Sequence, residues 1–347
     1  MAILSYLKMK ILMALRNVAG KIMTLLIHLY SLLKPNKETY NFDVFECNPA
    51  NLELSLFHFA KLCKKDPAHK GFTPINTFGI EDLPEDHRDV ELVELIRAMS
   101  ELTVRVAVTF TSCARPKRYL QRTKKTTSDT NNSKPTRTGT GRVERVDKFT
   151  KDEKINCPCV DCEKSSEPLQ EWGEVWVLRA VHVVFNTLEA KHTICRVSFG
   201  EGKSEVVNIK GLRIDSKSDE GDTCWLVCIT HDLALVDKLQ KMKTKFDVLR
   251  WKVGKKYKNT SKLAFIVSHP HGCSKHVSIG EWFTRQERLG RGSRFNYTTP
   301  TCPGSSGASV YLLGCGMFFE HVHRGSDYAN YSGAPWYELC KRKNKRI

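Results

Sequence analysis

The chain has 347 residues, a formal net charge of +17 and 13 cysteines. It is long enough to bury a sizeable core and exceeds one ordinary domain. The positive charge is confined to residues 1–33, 112–155 and 341–347 and no aromatic-interleaved motif accompanies it, which excludes a groove-reading nucleic-acid surface and leaves only weak, salt-sensitive contact with nucleic acid.

Residues 1–36 read as an amphipathic helix, because Asn17, Lys21, Thr24, His28 and Ser31 form a single polar stripe opposite a wide apolar face. The longest charge-free stretch of this segment, Ile22–Leu33, is 12 residues, against about 20 for a bilayer span. The helix is therefore expected to lie on an anionic membrane surface or to dock, not to cross. Arg16 and Lys21 interrupt what would be a signal-peptide core, which favours an intracellular, membrane-associated location over secretion. The sequons at Asn131, Asn259, Asn296 and Asn330 keep secretion open.

Residues 37–111 form a mainly helical region, with apolar residues at helical intervals in Asn51–Leu62 and Asp89–Met99. Leu102–Phe110 then alternates like a strand that could join a neighbouring sheet at its edge. Residues 112–138, rich in Lys, Arg, Thr, Ser and Asn, read as a basic flexible linker.

Cys157-Pro-Cys159-Val-Asp-Cys162 packs three cysteines into six residues. Three thiolates at this spacing can hold one tetrahedral Zn²⁺ when a fourth ligand arrives, with Cys195 or His192 as candidates. Disulfide pairing competes with this structural-zinc reading, although an odd cysteine total leaves one over. Cys224 and Cys228 lie on one strand face and read as buried free thiols.

His182 ends a β-rich run, Val175–Phe185, and Asp232 follows a second one, Cys224–Thr230. Thr301-Cys-Pro-Gly304-Ser-Ser306-Gly-Ala308 presents a serine between glycines, so the backbone can turn tightly and aim the Gly304 and Ser306 amides at one point. A serine hydroxyl needs a base to take its proton and a carboxylate to orient that base. The chain order His182, Asp232, Ser306 is the order of the chymotrypsin-type triad.

Five landmarks carry a family resemblance: Gly139-Thr140-Gly141, Ala180-Val-His182, Asp232-Leu-Ala-Leu, Ile266-Val-Ser-His-Pro270-His-Gly272 and Gly304-Ser-Ser306-Gly. In this order they resemble a compact chymotrypsin-like (trypsin-like) serine protease domain, over residues 139–335, with a basic tail at 336–347. The resemblance implies a mainly β fold, a double six-stranded antiparallel β-barrel preceded by the small helical region. It implies a serine endopeptidase acting on a peptide or protein substrate, with His182, Asp232 and Ser306 as catalytic residues, Gly304 and Ser306 as the oxyanion hole, and no cofactor required for catalysis.

Phe319-Glu-His321-Val-His323-Arg-Gly325 resembles the pocket wall of family members that prefer Glu or Gln before the scissile bond, with His323 in the matching position and His321 beside it. No aspartate precedes Gly304 where members cutting after Lys or Arg carry one. Two departures concern activity: Arg179 stands where the family usually has Thr or Ser, and Ser309 where a proline often follows the nucleophile loop. They leave open a second reading, an inactive protease fold used as a binding module and recruited through its N-terminal helix or basic segments.

Overall fold

The structure is a computed structural model that describes residues 45–47, 56, 63, 65–66, 68–116, 119, 136–198, 206–288, 292–315, 321–326 and 329–333. The amphipathic helix expected at 1–36, most of the helix expected at 51–62, most of the basic linker and the tail lie outside the described residues.

Two closed antiparallel barrels make up the β architecture. The first is formed by β3 (Thr103–Val108), β4 (Thr136–Phe149), β5 (Trp172–Arg179), β6 (Thr193–Ser198), β7 (Val206–Ser218) and β8 (Thr223–Thr230). They are ordered β4-β3-β6-β7-β8-β5, and β5 pairs back onto β4 to close the ring, while the short β1 (Phe45–Cys47) adds to the outside of β4. The second barrel consists of β9 (Leu263–Ser268), β10 (His276–Arg288), β11 (Gly292–Tyr297), β12 (Ser309–Leu312), β13 (His321–Ser326) and β14 (Ala329–Gly333). Its order is β11-β14-β13-β12-β9-β10, closed by β10 on β11, with β2 (Thr73–Pro74) alongside β10. This is the expected double six-stranded barrel, the trypsin-like serine protease fold. Closure leaves neither ring with an unpaired edge.

The strand expected at Leu102–Phe110 is present as β3, but not at an edge. It pairs with β4 on one side and β6 on the other, so the first barrel begins well ahead of Gly139 and the boundary drawn there is too late. Val104, Val106 and Val108 point into the core, which fits the alternation that identified the strand.

Among the described residues two helices pack beside the barrels. The helix expected at Asp89–Met99 is α1 (Val90–Leu102), capped by Asp89, whose carboxylate accepts from the Glu91 amide at 3.0 Å. A 24-residue helix connects the barrels; with the two short helices of the first barrel numbered α2 (Val160–Glu163) and α3 (Thr187–Lys191), it is α4 (Leu233–Lys256). Its buried residues Leu235, Val236, Leu239, Phe246, Leu249 and Val253 recur on one face and join α1 and both barrels in the main core. Lys256 and the Tyr257 hydroxyl reach Asp89 at 2.8 and 3.0 Å, tying the end of α4 to the start of α1. Among the described residues no helix is long and apolar enough to cross a membrane.

Candidate active site

The site is organised by β4. The Thr140 amide donates to the Ser306 carbonyl at 2.9 Å, and the Thr140 hydroxyl donates to the Gly304 carbonyl at 2.9 Å, so one residue holds both ends of the Gly304–Ser306 turn. The neighbouring glycines are needed for clearance. A Cβ at Gly139 would come within 2.9 Å of the Ser306 carbonyl and within 2.8 Å of the Val183 side chain, which places the serine turn and the histidine loop against the same point of β4. Gly304 and Gly307 take φ of +97° and +90°, backbone conformations that side chains disfavour, and a Cβ at 307 would meet the Thr140 carbonyl at 2.2 Å. Ser306 and Ser305 are both buried, and Ser305 Oγ lies 3.0 Å from Ser268 Oγ. The Gly307 amide donates to the His323 carbonyl at 3.0 Å, so β13 closes the far side of the turn.

His182 is fully buried, and its carboxylate partner is Asp222. The Asp222 Oδ2 lies 2.5 Å from His182 Nδ1, and Oδ1 accepts from the His182 amide at 3.0 Å. Asp222 sits in the β7–β8 turn with φ +52°, a conformation aspartate tolerates better than most side chains, and is itself buried. The expected partner, Asp232, is elsewhere. It is exposed and caps α4, accepting from the Leu235 amide at 2.9 Å, so the Asp-Leu-Ala-Leu motif is a helix start here and Asp232 is corrected to a structural cap. The chain order histidine, aspartate, serine survives with Asp222 in place of Asp232. Sequence reasoning passed over Asp222 because it closes the acidic turn Asp219-Glu-Gly-Asp222; its one signal is that it directly precedes a strand, as Asp232 does not.

Three buried arginines hold the histidine loop. Arg179 donates to the Ala180 and Val184 carbonyls at 3.0 and 2.9 Å, and Arg137 to the Val183 carbonyl at 3.0 Å. Arg115 donates to the His182 carbonyl. Glu189 accepts from Arg115 and Arg137 at 2.9 and 3.2 Å and from the Phe185 amide at 2.8 Å. Burial brings the Arg115 guanidinium down to about 10, and it lowers Arg179 as well. Arg179, the departure from the family pattern, thus braces the loop that carries the histidine. Arg115, which the composition assigned to an exposed linker, is a core residue.

His321 and His323 point into the second barrel. His321 is saturated: its ring nitrogens lie 2.9 Å from Ser332 Oγ and 3.4 Å from Ser293 Oγ, and its edge rests on Phe295. Burial holds it down to about 3, and with both nitrogens occupied it is corrected from a substrate-binding residue to a core histidine. His323 keeps one nitrogen available. Nδ1 lies 2.5 Å from the Tyr297 hydroxyl, while the buried Nε2 has no protein partner. Burial, with Lys65 and His182 nearby, pushes its pKa well below the ordinary histidine value, so the ring is neutral.

The cysteine triplet converges, but not on Cys195. Cys195 is on β6 inside the first barrel, 3.6 Å from Cys228, and His192 stacks on Phe110. The fourth group beside Cys157, Cys159 and Cys162 is His231, whose Nε2 lies 3.1, 3.7 and 3.6 Å from the three sulfurs. It stands directly before Asp232 in the sequence, and the end of β8 brings it to the triplet.

No protein-family model and no curated protein matches the chain. Solved structures do: that of Deg5, 13% identical over 75% of this chain and 94% of its own length at a TM-score of 0.40, and that of the HtrA-type protease AlgW with a tripeptide, 10% identical over 72% of this chain at 0.38. The chain spans 60% of AlgW. At these scores the likeness carries no argument, and the fold stands on the strand order of the two barrels.

Proposed function

We propose that the chain is a serine endopeptidase in which Ser306 attacks the scissile carbonyl, His182 takes and returns the proton, and Asp222 orients the imidazole. The observation that carries this reading is the buried Asp222 carboxylate on His182 Nδ1: it fixes the tautomer whose Nε2 is the base. The Gly304 and Ser306 amides would hold the oxyanion. A fluorophosphonate probe tests it on the full chain. Labelling of the wild type that Ser306→Ala abolishes supports the assignment; wild type labelling no better than that variant would overturn it.

His323 supports a preference for glutamine, over glutamate, before the scissile bond. A neutral imidazole offers no charge to a carboxylate, whereas a primary amide both donates and accepts and can meet either tautomer. A peptide library in which Gln is no better than Ala at that position would remove this role.

The Cys157, Cys159, Cys162 and His231 cluster supports a structural Zn²⁺ site. Zinc bonds of about 2.3 Å to sulfur and about 2.0 Å to nitrogen give sulfur–nitrogen tetrahedron edges of about 3.5 Å, close to the observed separations. Burial pushes the Cys157 thiol up to about 12, a cost that a bound cation removes by taking the thiolate. Metal analysis of protein prepared under reducing conditions checks it.

A further inference from the structure

A second cluster of metal-ligand side chains lies behind the nucleophile turn. Cys63, His69, His271 and Cys302 come from three distant parts of the chain, and all four are buried. Their ligand atoms fall within 4.8 Å of one another. Cys63 Sγ and Cys302 Sγ are 3.5 Å apart, and His69 Nε2 and His271 Nε2 are 3.2 Å apart.

We propose that these four side chains bind a second Zn²⁺ ion, which ties the segment around residues 63–69 to the turn that presents Ser306.

Four observations carry the assignment. A zinc tetrahedron with bonds of about 2.0 Å to nitrogen and about 2.3 Å to sulfur has nitrogen–nitrogen edges of about 3.3 Å and sulfur–sulfur edges of about 3.8 Å, near both measured separations. Two imidazoles that face each other through the same nitrogen need a shared proton or a cation between them. A Cys63–Cys302 disulfide would account for the sulfurs, yet at 3.5 Å they are unbonded. His69 and His271 also take φ of +48° and +51°, conformations a histidine keeps where its surroundings demand them, and ligand sites are such places. Zinc binding would release the thiol protons of Cys63 and Cys302 to solvent and leave two thiolates and two neutral imidazoles on the ion.

The connection to the nucleophile is short. Cys302 lies two residues before Gly304, and its carbonyl accepts from the Ser305 amide at 2.9 Å. The His271 amide donates to the Pro303 carbonyl at 2.6 Å, and a Cβ at Gly304 would meet the His271 amide at 2.7 Å. An ion held here would therefore fix the approach to the turn from behind.

The test uses full-length protein purified under reducing conditions. Native mass spectrometry of a Cys157→Ser/Cys159→Ser double variant, in which the first cluster is silenced, should show one zinc per chain, and adding His69→Ala should remove it. X-ray absorption of the double variant should give two sulfurs and two nitrogens around the metal. Should the double variant not fold, the wild type decides: two zinc ions per chain, or one with a two-sulfur, two-nitrogen shell, supports the site. Folded wild-type protein holding only a three-sulfur, one-nitrogen zinc, or none, overturns it. So does a mass two hydrogens low that peptide mapping assigns to a Cys63–Cys302 disulfide.

Discussion

Glu189 accepts from Arg115 at 2.9 Å at a point where both side chains are wholly buried. The carboxylate also meets Arg137, so it balances two of the three guanidinium groups around the His182 loop. Removing one partner of a buried ion pair leaves an uncompensated charge, which costs about 3–5 kcal/mol. Glu189→Ala should lower stability by about that amount in chemical denaturation and reduce probe labelling in proportion to the folded fraction. A change below about 1 kcal/mol would mean that the cage does not depend on the carboxylate.

Asp222→Asn and Asp232→Asn should separate sharply. The first keeps the shape but loses the carboxylate that selects the imidazole tautomer, and kcat should fall by about 10⁴-fold. The second touches only a helix cap, where asparagine serves as well as aspartate, and activity should be unchanged. Steady-state hydrolysis of a peptide substrate by both variants checks the assignment.

Stability should fall on acidification below pH 6.5. The pKa values of His321 and His323 are depressed in the folded chain, to about 3 for His321, so below pH 6.5 the unfolded state binds protons that the folded state refuses. With more protons on the unfolded chain, the stability rises with pH and is lost as pH drops from 6.5 toward 3. Each histidine contributes at most about 1.4 kcal/mol per pH unit in that window. Replacing His321 by Gln should flatten the pH dependence of the denaturation midpoint between pH 6 and pH 4, even if the variant is less stable overall.

Stripping metal from the triplet around His231 should loosen the β4–β5 connection without dissolving the barrel. Zinc supplies about 10–16 kcal/mol of apparent binding energy in small zinc peptides that have no other core. Here the main core stands independently, so Cys159→Ser should lower the melting temperature while leaving the cooperative transition intact. Exposure of Trp172, which packs with these cysteines, gives a fluorescence signal for the change.

What was legible in the sequence depended on how local its cause is. Gly139-Thr-Gly and Gly304-Ser-Ser-Gly could be read because steric clearance leaves a local mark, β3 because pleating imposes alternation, and β5 and β8 because buried strands leave runs rich in β-forming apolar residues. Asp222 could not be read: an acidic hairpin turn looks alike whether or not a histidine lies beneath it. Asp232 was misleading because an aspartate before an apolar run serves equally as a helix cap. Arg115 was misjudged for a related reason, since charge along a chain does not say which guanidinium finds a buried carboxylate. His231 was one residue from a position already singled out, but only the course of β8 connects it to the cysteine triplet. The Cys63 cluster joins ligands separated by 239 and 202 residues, a distance over which no spacing rule operates.

Asp222 and His182 stand on the first barrel and Ser306 on the second, and contacts between the barrels close the seam beside Asp222. Arg324 of β13 donates to the Glu220 carbonyl at 3.1 Å, and a Cβ at Gly333 would lie 2.0 Å from the Gly221 carbonyl, one residue from Asp222. A single methyl group at 333 would thus act as a wedge, prising the aspartate's turn from its neighbour while both barrels stay closed. Folding and catalysis would part company at a residue that takes no part in the chemistry.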